Sequence, residues 1–371
     1  MNLIYQMQYK FVNLRQKKSQ KMTSITNESA QALHDRLRKA NNPVIVTHMK
    51  PDGDAIGSSI GMYHVLDEVY HKKSSIAIAN PIPSYLDFLA DESVSKDIYI
   101  YEERAEQTRR IILESDLIIC LDFNAFHRTD TLCVLLEEST ADKILIDHHL
   151  SPDSEKFVLV FSVPQMSSTC ELEYHILKSL PCIDGNVSAL PHKTCTALMT
   201  GMTTDTNNFA NSVIPSTLMM ASELIAAGVD RNMILSNLYN RFKESRLRLQ
   251  GHILKNLMKI TPDGVAYMVL DKQTLKEYDV QEGDTEGFVN IPLSIDKVRM
   301  SIFIKEDDSY ARVSIRSKEG TSANMCSRLH FNGGGHENAA GGRLYMPKDI
   351  ADITQAAEYI ERHTHIFMNN E

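Results

Sequence analysis

The sequence contains no run of 18 or more apolar residues, so no transmembrane helix is expected. It has no CxxC pair and no zinc-like cysteine spacing: Cys120, Cys133, Cys170, Cys182, Cys195 and Cys326 stand apart. Cys120 and Cys195 lie in apolar surroundings that read as core, and a reducing, cytoplasmic setting is the simplest inference. Basic charge is also short. With 39 Lys and Arg against 48 Asp and Glu, the net charge is −9, which argues against a broad surface for long duplex nucleic acid. Short nucleotides are not excluded by that balance. Acid is missing from the first 21 residues, where Lys10, Arg15, Lys17, Lys18 and Lys21 fall, yet no secretory apolar core or cleavage site accompanies them. Residues 1–27 therefore read as a disordered extension, with Met22 as an alternative start.

What is present fits an ordinary globular chain. The length of 371 residues suggests two domains, and 43% hydrophobic with 23% charged residues supplies a core for each. The most distinctive stretch follows the apolar run Val44-Ile45-Val46, which reads as a buried strand. His48, Asp52 and Asp54 come next, around a turn forced by Pro51 and Gly53, before a helix expected over 55–70. Carboxylates that converge beside an imidazole form a hard donor set suited to Mn²⁺ or Mg²⁺. Taken alone, the same residues also suit a turn with a helix cap.

The pattern recurs. A helix is expected over 28–40, then strands over 44–47, 75–79, 116–121 and 143–146, alternating with helices that include 104–114. This predicts a mostly parallel sheet flanked by helices. Two further strands end on chemistry: DLIICL on Asp122, and KILI on Asp147-His148-His149. A single Asp after a strand is ordinarily a turn residue, but three such ends are hard to explain by capping alone. Helices follow over 168–177, with Ser167, Ser168 and Thr169 as caps, over 192–204, and over 215–226. Asp205, just beyond the second of these, is a candidate ligand.

The catalytic domain is taken as 28–228. A long mixed-charge helical stretch over 231–260 reads as the connector (229–260), and a smaller α+β domain occupies 261–371. Strands are expected over 264–270, 298–304 and 312–315, with helices after Thr321 and over 347–362. Period-two geometry puts Arg312, Ser314 and Arg316 on one strand face, an arrangement that suits a phosphate or carboxylate. The run Gly333-Gly334-Gly335-His336 lets backbone approach a ligand and aim N–H groups as an anion nest, and Ala339, Ala340 and Gly341 are small enough to pack behind it.

Together these stretches resemble the DHH phosphoesterase superfamily. His48-x-x-x-Asp52-x-Asp54, Asp122, Asp147-His148-His149 and Asp205 match its four motifs in order, and Gly333 to Gly341 matches the GGGHxxAAG signature of the DHH-associated C-terminal domain. A two-domain chain of this length is most similar to the nanoRNase/pAp-phosphatase group. The resemblance implies two Mn²⁺ ions, with Mg²⁺ or Co²⁺ as substitutes. His48, Asp52 and Asp122 hold one, Asp54, Asp122, His148 and Asp205 the other, and Asp122 bridges. It further implies that His149 contacts phosphate or assists proton transfer, that Asp147 fixes an imidazole, and that Arg128 meets the phosphate. Ser314, Arg316, Gly333, Gly334, Gly335 and His336 are implied substrate contacts, in a site placed in an interdomain cleft. The implied substrates are short RNA oligonucleotides, the nucleotide bisphosphate pAp, or linear dinucleotides, cleaved to mononucleotides. Single-stranded DNA exonuclease activity and nucleotide binding without turnover are the rival readings. No membrane partner is expected, and a homodimer is compatible with the reading.

Overall fold

A computed structural model of the chain describes residues 25–281 and 283–370. Most of the expected N-terminal extension, through residue 24, lies outside the described residues. The chain divides into two compact units, one ending at Asn240 and the other beginning at Arg241. Among the described residues no helix is long and apolar enough to cross a membrane.

The first unit runs α1 (Asn27–Lys39), β1 (Pro43–Thr47), α2 (Gly53–His64), β2 (Ser75–Ile78), α3 (Glu92–Ser95), β3 (Ile98–Ile100) and α4 (Tyr101–Leu113). It continues with β4 (Leu117–Leu121), α5 (Leu132–Glu138), β5 (Asp142–Asp147), β6 (Leu159–Ser162), α6 (Thr169–Lys178), α7 (His192–Asp205), α8 (Pro215–Ala226) and α9 (Arg231–Tyr239). Thr26 starts α1: its Oγ1 accepts from Ser29 N at 3.1 Å, and Ala30, Leu33 and Leu37 face the core. The six strands pair in the order β3-β2-β1-β4-β5-β6, all parallel. β1 and β4 are neighbours although β2, β3 and their helices separate them in sequence. The strand order reverses there, the point at which open α/β sheets hold ligands beyond their carboxyl ends.

Close helix packing fixes the segment after β1. A Cβ on Gly57 of α2 would lie 2.6 Å from the Ala197 carbonyl oxygen, and one on Gly201 of α7 would lie 2.3 Å from Cys170 Sγ and 2.9 Å from the Gly53 oxygen. Only glycine lets α2, α6 and α7 approach this closely, and the contact ties the start of α2 to the last turns of α7.

The second unit comprises α10 (Glu244–His252), β7 (Lys259–Ile260), β8 (Val265–Leu270), α11 (Lys272–Glu277), β9 (Met300–Glu306), β10 (Tyr310–Ser317), α12 (Ala323–His330), β11 (Gly334–Gly335), β12 (Ala339–Tyr345) and α13 (Ala356–Asn370). Its sheet order is β11-β12-β10-β9-β8-β7, with β8 and β9 parallel and the other pairs antiparallel. Val313 and Ile315 share one core with Cys326, Phe331 and Ile360 from α12, its following residue and α13.

Several expected elements differ. The helical stretch over 231–260 is broken at 240–243, where Arg246 is sandwiched between the Phe242 and Phe288 rings and donates to the Glu286 carbonyl at 2.7 Å. The last helix starts at Ala356 rather than 347. Before it, Asp349 accepts from Tyr345 N at 2.8 Å and Asp352 from Thr354 N at 2.9 Å, and such local side-chain bonds favour turns over helix. The short strands β3 and β6 were not anticipated, because three- and four-residue apolar runs carry too little periodicity.

Candidate metal centre

The carboxyl ends of three adjacent strands build the site. After β1, the chain places His48, and Asp52 caps α2 by accepting from Asp54 N at 3.0 Å and Ala55 N at 3.1 Å. After β4 comes Asp122, held in a left-handed conformation with φ 65°. β5 ends on Asp147, followed by His148 and His149. Asp205 is the last residue of α7.

The two imidazoles are oriented from behind. His48 Nδ1 lies 2.8 Å from the Met49 carbonyl oxygen and His148 Nδ1 lies 3.2 Å from that of Met166. A carbonyl only accepts, so Nδ1 carries the hydrogen in each ring and Nε2 faces the carboxylates. His48 Nε2 lies 3.4 Å from Asp122 and 3.8 Å from Asp52. His148 Nε2 lies 3.5 Å from Asp205, 3.8 Å from Asp122 and 3.9 Å from Asp54. Two sets of donors result, His48 with Asp52 and Asp122, and Asp54 with His148 and Asp205, each within 4.8 Å. Asp122 stands against both. A third set joins Asp122, Asp147 and His149, whose Nδ1 lies 2.7 Å from Asp147.

Electrostatics identifies what the cluster accommodates. Asp54 and Asp122 are buried, Asp52 keeps half of its side chain exposed, and Asp205 keeps 31%. Burial, together with Asp122 and Asp205, raises the Asp54 carboxyl well above the usual range. Burial would raise Asp122 as well, but the His48 hydrogen bond and the charges of His149, His48 and His148 outweigh it and hold that carboxyl low. Burial pulls His148 down, yet Asp205, Asp54, Asp122 and Asp147 more than compensate and push it up to about 9. His48 is likewise raised: burial is opposed by the Asp122 hydrogen bond and by Asp52. The crowded carboxylates thus raise the proton affinity of Asp54, His48 and His148, and the same negative potential favours a bound cation. Oxygen and imidazole donors in sets of three fit divalent cations of the Mg²⁺, Mn²⁺ or Zn²⁺ kind.

Arg128 follows Asp122 in a short helical turn, its carbonyl accepting from Met49 N at 2.8 Å, and its charge acts on His48. Sequence reasoning missed what α6 does here. Its first amides donate to the Asp54 carboxylate, Thr169 N at 2.6 Å and Cys170 N at 2.9 Å, while Thr169 Oγ1 donates to Asp122 at 2.9 Å. A helix N-terminus stabilises a carboxylate in this way. The signal available was the Ser167-Ser168-Thr169 run, read only as a cap.

The remaining candidates lie in the second unit. Ser314 and Arg316 stand on one face of β10; Gly341 pairs with both Ser314 and Gly334, and Ala339 pairs with Arg316. His336 and Ala339 exchange backbone hydrogen bonds of 2.7 and 3.3 Å. Gly334 and Gly335 form a short strand, and two amides of the glycine run have partners: Gly333 N donates to the Ser327 carbonyl and Gly335 N to Asn324 Oδ1. Glycine is required at Gly333, because a Cβ there would lie 1.9 Å from the Gly341 oxygen. Packing fixes glycine at Gly333 and at Gly335, where a Cβ would lie 2.5 Å from the Ala339 oxygen, but not at Gly334, where its contacts would be 3.6 Å, and Ala339 to Tyr345 form β12.

A reversing parallel sheet with Asp- and His-bearing strand ends, joined in sequence to a smaller mixed sheet, defines a two-part phosphoesterase class. Residues 42–202 match the N-terminal domain of the DHH family and residues 263–362 match the DHHA1 domain. The chain belongs to the DHH family. It is 27% identical over 305 residues to the bifunctional oligoribonuclease and PAP phosphatase NrnA of Bacillus subtilis, covering 81% of this chain and 89% of that one. The Thermus thermophilus protein of the same name is 29% identical, over 90% and 92% of the two chains. Among solved structures, an exopolyphosphatase-related protein from Bacteroides fragilis superposes with a TM-score of 0.84 at 36% identity, covering 94% of this chain and 98% of that one.

Proposed function

We propose that this protein is a Mn²⁺-dependent phosphoesterase that hydrolyses short RNA oligonucleotides, pAp and linear dinucleotides to mononucleotides. The observation that carries this reading is the pair of neighbouring donor sets, His48-Asp52-Asp122 and Asp54-His148-Asp205, with Asp122 3.8 Å from His148 Nε2. The names of the NrnA relatives support the substrate class. Bound divalent ions would supply Lewis-acid polarisation of the phosphoryl group and of the attacking water. His48, Asp52, Asp54, Asp122, His148 and Asp205 would hold them. The chain's own residues supply the rest: Asp147 fixes the His149 ring through Nδ1, which leaves Nε2 as the atom that exchanges a proton with the reacting water or the leaving ester oxygen. Water oxygen bonds to phosphorus, the bridging ester bond breaks, and the leaving oxygen takes a proton. Arg128 offers a guanidinium for a non-bridging phosphate oxygen. Ser314, Arg316 and His336 supply substrate contacts from the second unit. The backbone of Gly333, Gly334 and Gly335 contributes beside those side chains, with the amides of Gly333 and Gly335, on either side of Gly334, already engaged.

The test is release of mononucleotide from 5′-phosphorylated RNAs of graded length, with pAp and matched DNA, in Mn²⁺. Rapid turnover of pAp and the shortest RNAs is expected. Preference for long single-stranded DNA, or binding with no turnover, would contradict the reading.

A further inference from the structure

Asp205 closes the second donor set from the place where α7 stops. Its side chain is 31% exposed, against 1% for Asp54 and 7% for His148 of the same set. Helix ends fray, so a ligand on the last residue of a helix depends on how the chain leaves that helix.

The exit is unusual. Asn207 N donates to the Thr204 carbonyl at 3.0 Å and Asn208 N to that of Thr203 at 2.8 Å, the pair of bonds by which a left-handed residue ends a helix. That cap calls for one left-handed position, at Asn207, whose φ is 47°. Asn208 and Phe209 continue the run with φ of 55° and 67°. L-residues adopt this region singly, and a bulky aromatic there is an outlier that persists only where its surroundings hold it.

Part of the hold is local. Thr206 Oγ1 donates to the Met202 carbonyl at 2.8 Å and accepts from Phe209 N at 3.1 Å. The rest comes from α9. Arg231, its first residue, donates from Nη2 to Asn208 Oδ1 at 2.7 Å and sets its guanidinium 5.7 Å from the centre of the Phe209 ring. One side chain thus grips both residues that the cap does not account for. The helix that carries it is anchored: Asp230 accepts from Met233 N at 3.0 Å, and Ile234 and Leu238 share a core with Met199 and Met202 of α7. A cation in the first turn of a helix opposes the helix dipole, so α9 gains nothing from arginine at this position.

We propose that Arg231 is a positioning residue for Asp205: by clamping Asn208 and Phe209 to α9 it fixes the left-handed exit of α7, and with it the aim of the Asp205 carboxylate at the second cation. The proposal rests on the metal-centre reading and adds to it a residue from a helix that carries no ligand.

Mn²⁺ binding to the full chain, followed by calorimetry, reads the clamp without turnover. The variants are Arg231→Ala, Arg231→Lys, Asp205→Ala and the double variant Arg231→Ala/Asp205→Ala, with thermal unfolding of each to report folding. Groups that orient ligands change metal affinity by about 10–100-fold, so Arg231→Ala should weaken one ion about tenfold and leave the other within about twofold. Arg231→Lys keeps a donor for Asn208 and a cation for the ring, and should recover most of the loss. In the Asp205→Ala background, Arg231→Ala should have no further effect, because residues that act through one another are not additive. Should Arg231→Ala not fold, Arg231→Gln, which keeps the length of the side chain and drops the charge, takes its place. Undiminished affinity in the folded variant, equal weakening of both ions, or additive losses in the double variant would overturn the clamp. Wild-type protein that binds no Mn²⁺ would overturn the metal-centre reading, and the clamp with it.

Discussion

In the parallel sheet the candidate ligands stand at the carboxyl edge of β1, β4 and β5, whereas in the mixed sheet the candidate substrate contacts Ser314 and Arg316 stand on one face of β10. The edge gathers groups from turns and helix ends between His48 and Asp205, buries most of them, and crowds their negative charge. The face gathers groups at alternate positions of one strand, keeps them half-buried and carries positive charge. The difference separates tasks. Under the proposed function, a buried acidic edge would hold cations for chemistry, and a basic, partly open face would meet the anion on which that chemistry acts.

The comparison breaks most visibly at Asp122. Asp122→Ala removes a carboxylate that belongs to the His48-Asp52 set and lies 3.8 Å from His148 of the other, and hydrolysis should fall by on the order of 10³-fold or more, with circular dichroism unchanged. Retention of wild-type turnover would place the chemistry elsewhere.

A second difference is acid sensitivity. Glu171 of α6 is buried; burial would raise its carboxyl, but the His175 imidazole 3.7 Å away and hydrogen bonds from Ser167, Ser216 and Thr217 outweigh this and hold it at about 2. Because the folded value lies below the ordinary 4.5, its contribution is fully present above pH 4.5 and is lost as pH falls toward 2. That contribution is about 3 kcal/mol. Urea unfolding as a function of pH should show this decline, and Glu171→Gln should remove it; an identical pH profile in the variant would sink the assignment.

Glycines sharpen the contrast further. Gly201→Ala forces a Cβ against Cys170 Sγ and the Gly53 oxygen, and should cost about 1–3 kcal/mol in thermal unfolding. Because Gly201 sits one turn before Asp205, Mn²⁺ affinity should fall with it. Gly341→Ala should change stability by no more than about 0.5 kcal/mol, since its Cβ enters open space. A larger loss there would mean that Gly341 is held by packing after all.

The strand ends were legible in the sequence because each apolar run stops on a polar group that neither capping nor turn formation explains well. His48, Asp122 and His148 stand out for that reason, and adjacency of β1, β4 and β5 then follows from the topology of parallel sheets. The groups behind the ligands were not legible. Met49 and Met166 act through main-chain carbonyls, which carry no residue signature, and Thr169 looks like any helix start until Asp54 is found on its amide. The packing role of the glycine run was not legible either. Its spacing reads as a ligand loop, but Gly333 is glycine because the Gly341 oxygen lies against it, a contact that exists only after β12 has folded back. The break at 240–243 was hidden as well, since Arg246 is fixed by two aromatic rings distributed across the sequence.

The proposal that Asp122 joins two cation sites is tested most directly by Mn²⁺ binding to the full chain, followed by isothermal titration calorimetry with electron paramagnetic resonance. Wild-type protein should bind two ions per chain with mutual magnetic coupling, and Asp122→Ala should weaken both sites and abolish the coupling. A single ion in the wild type, or two ions bound with undiminished affinity in Asp122→Ala, would contradict it.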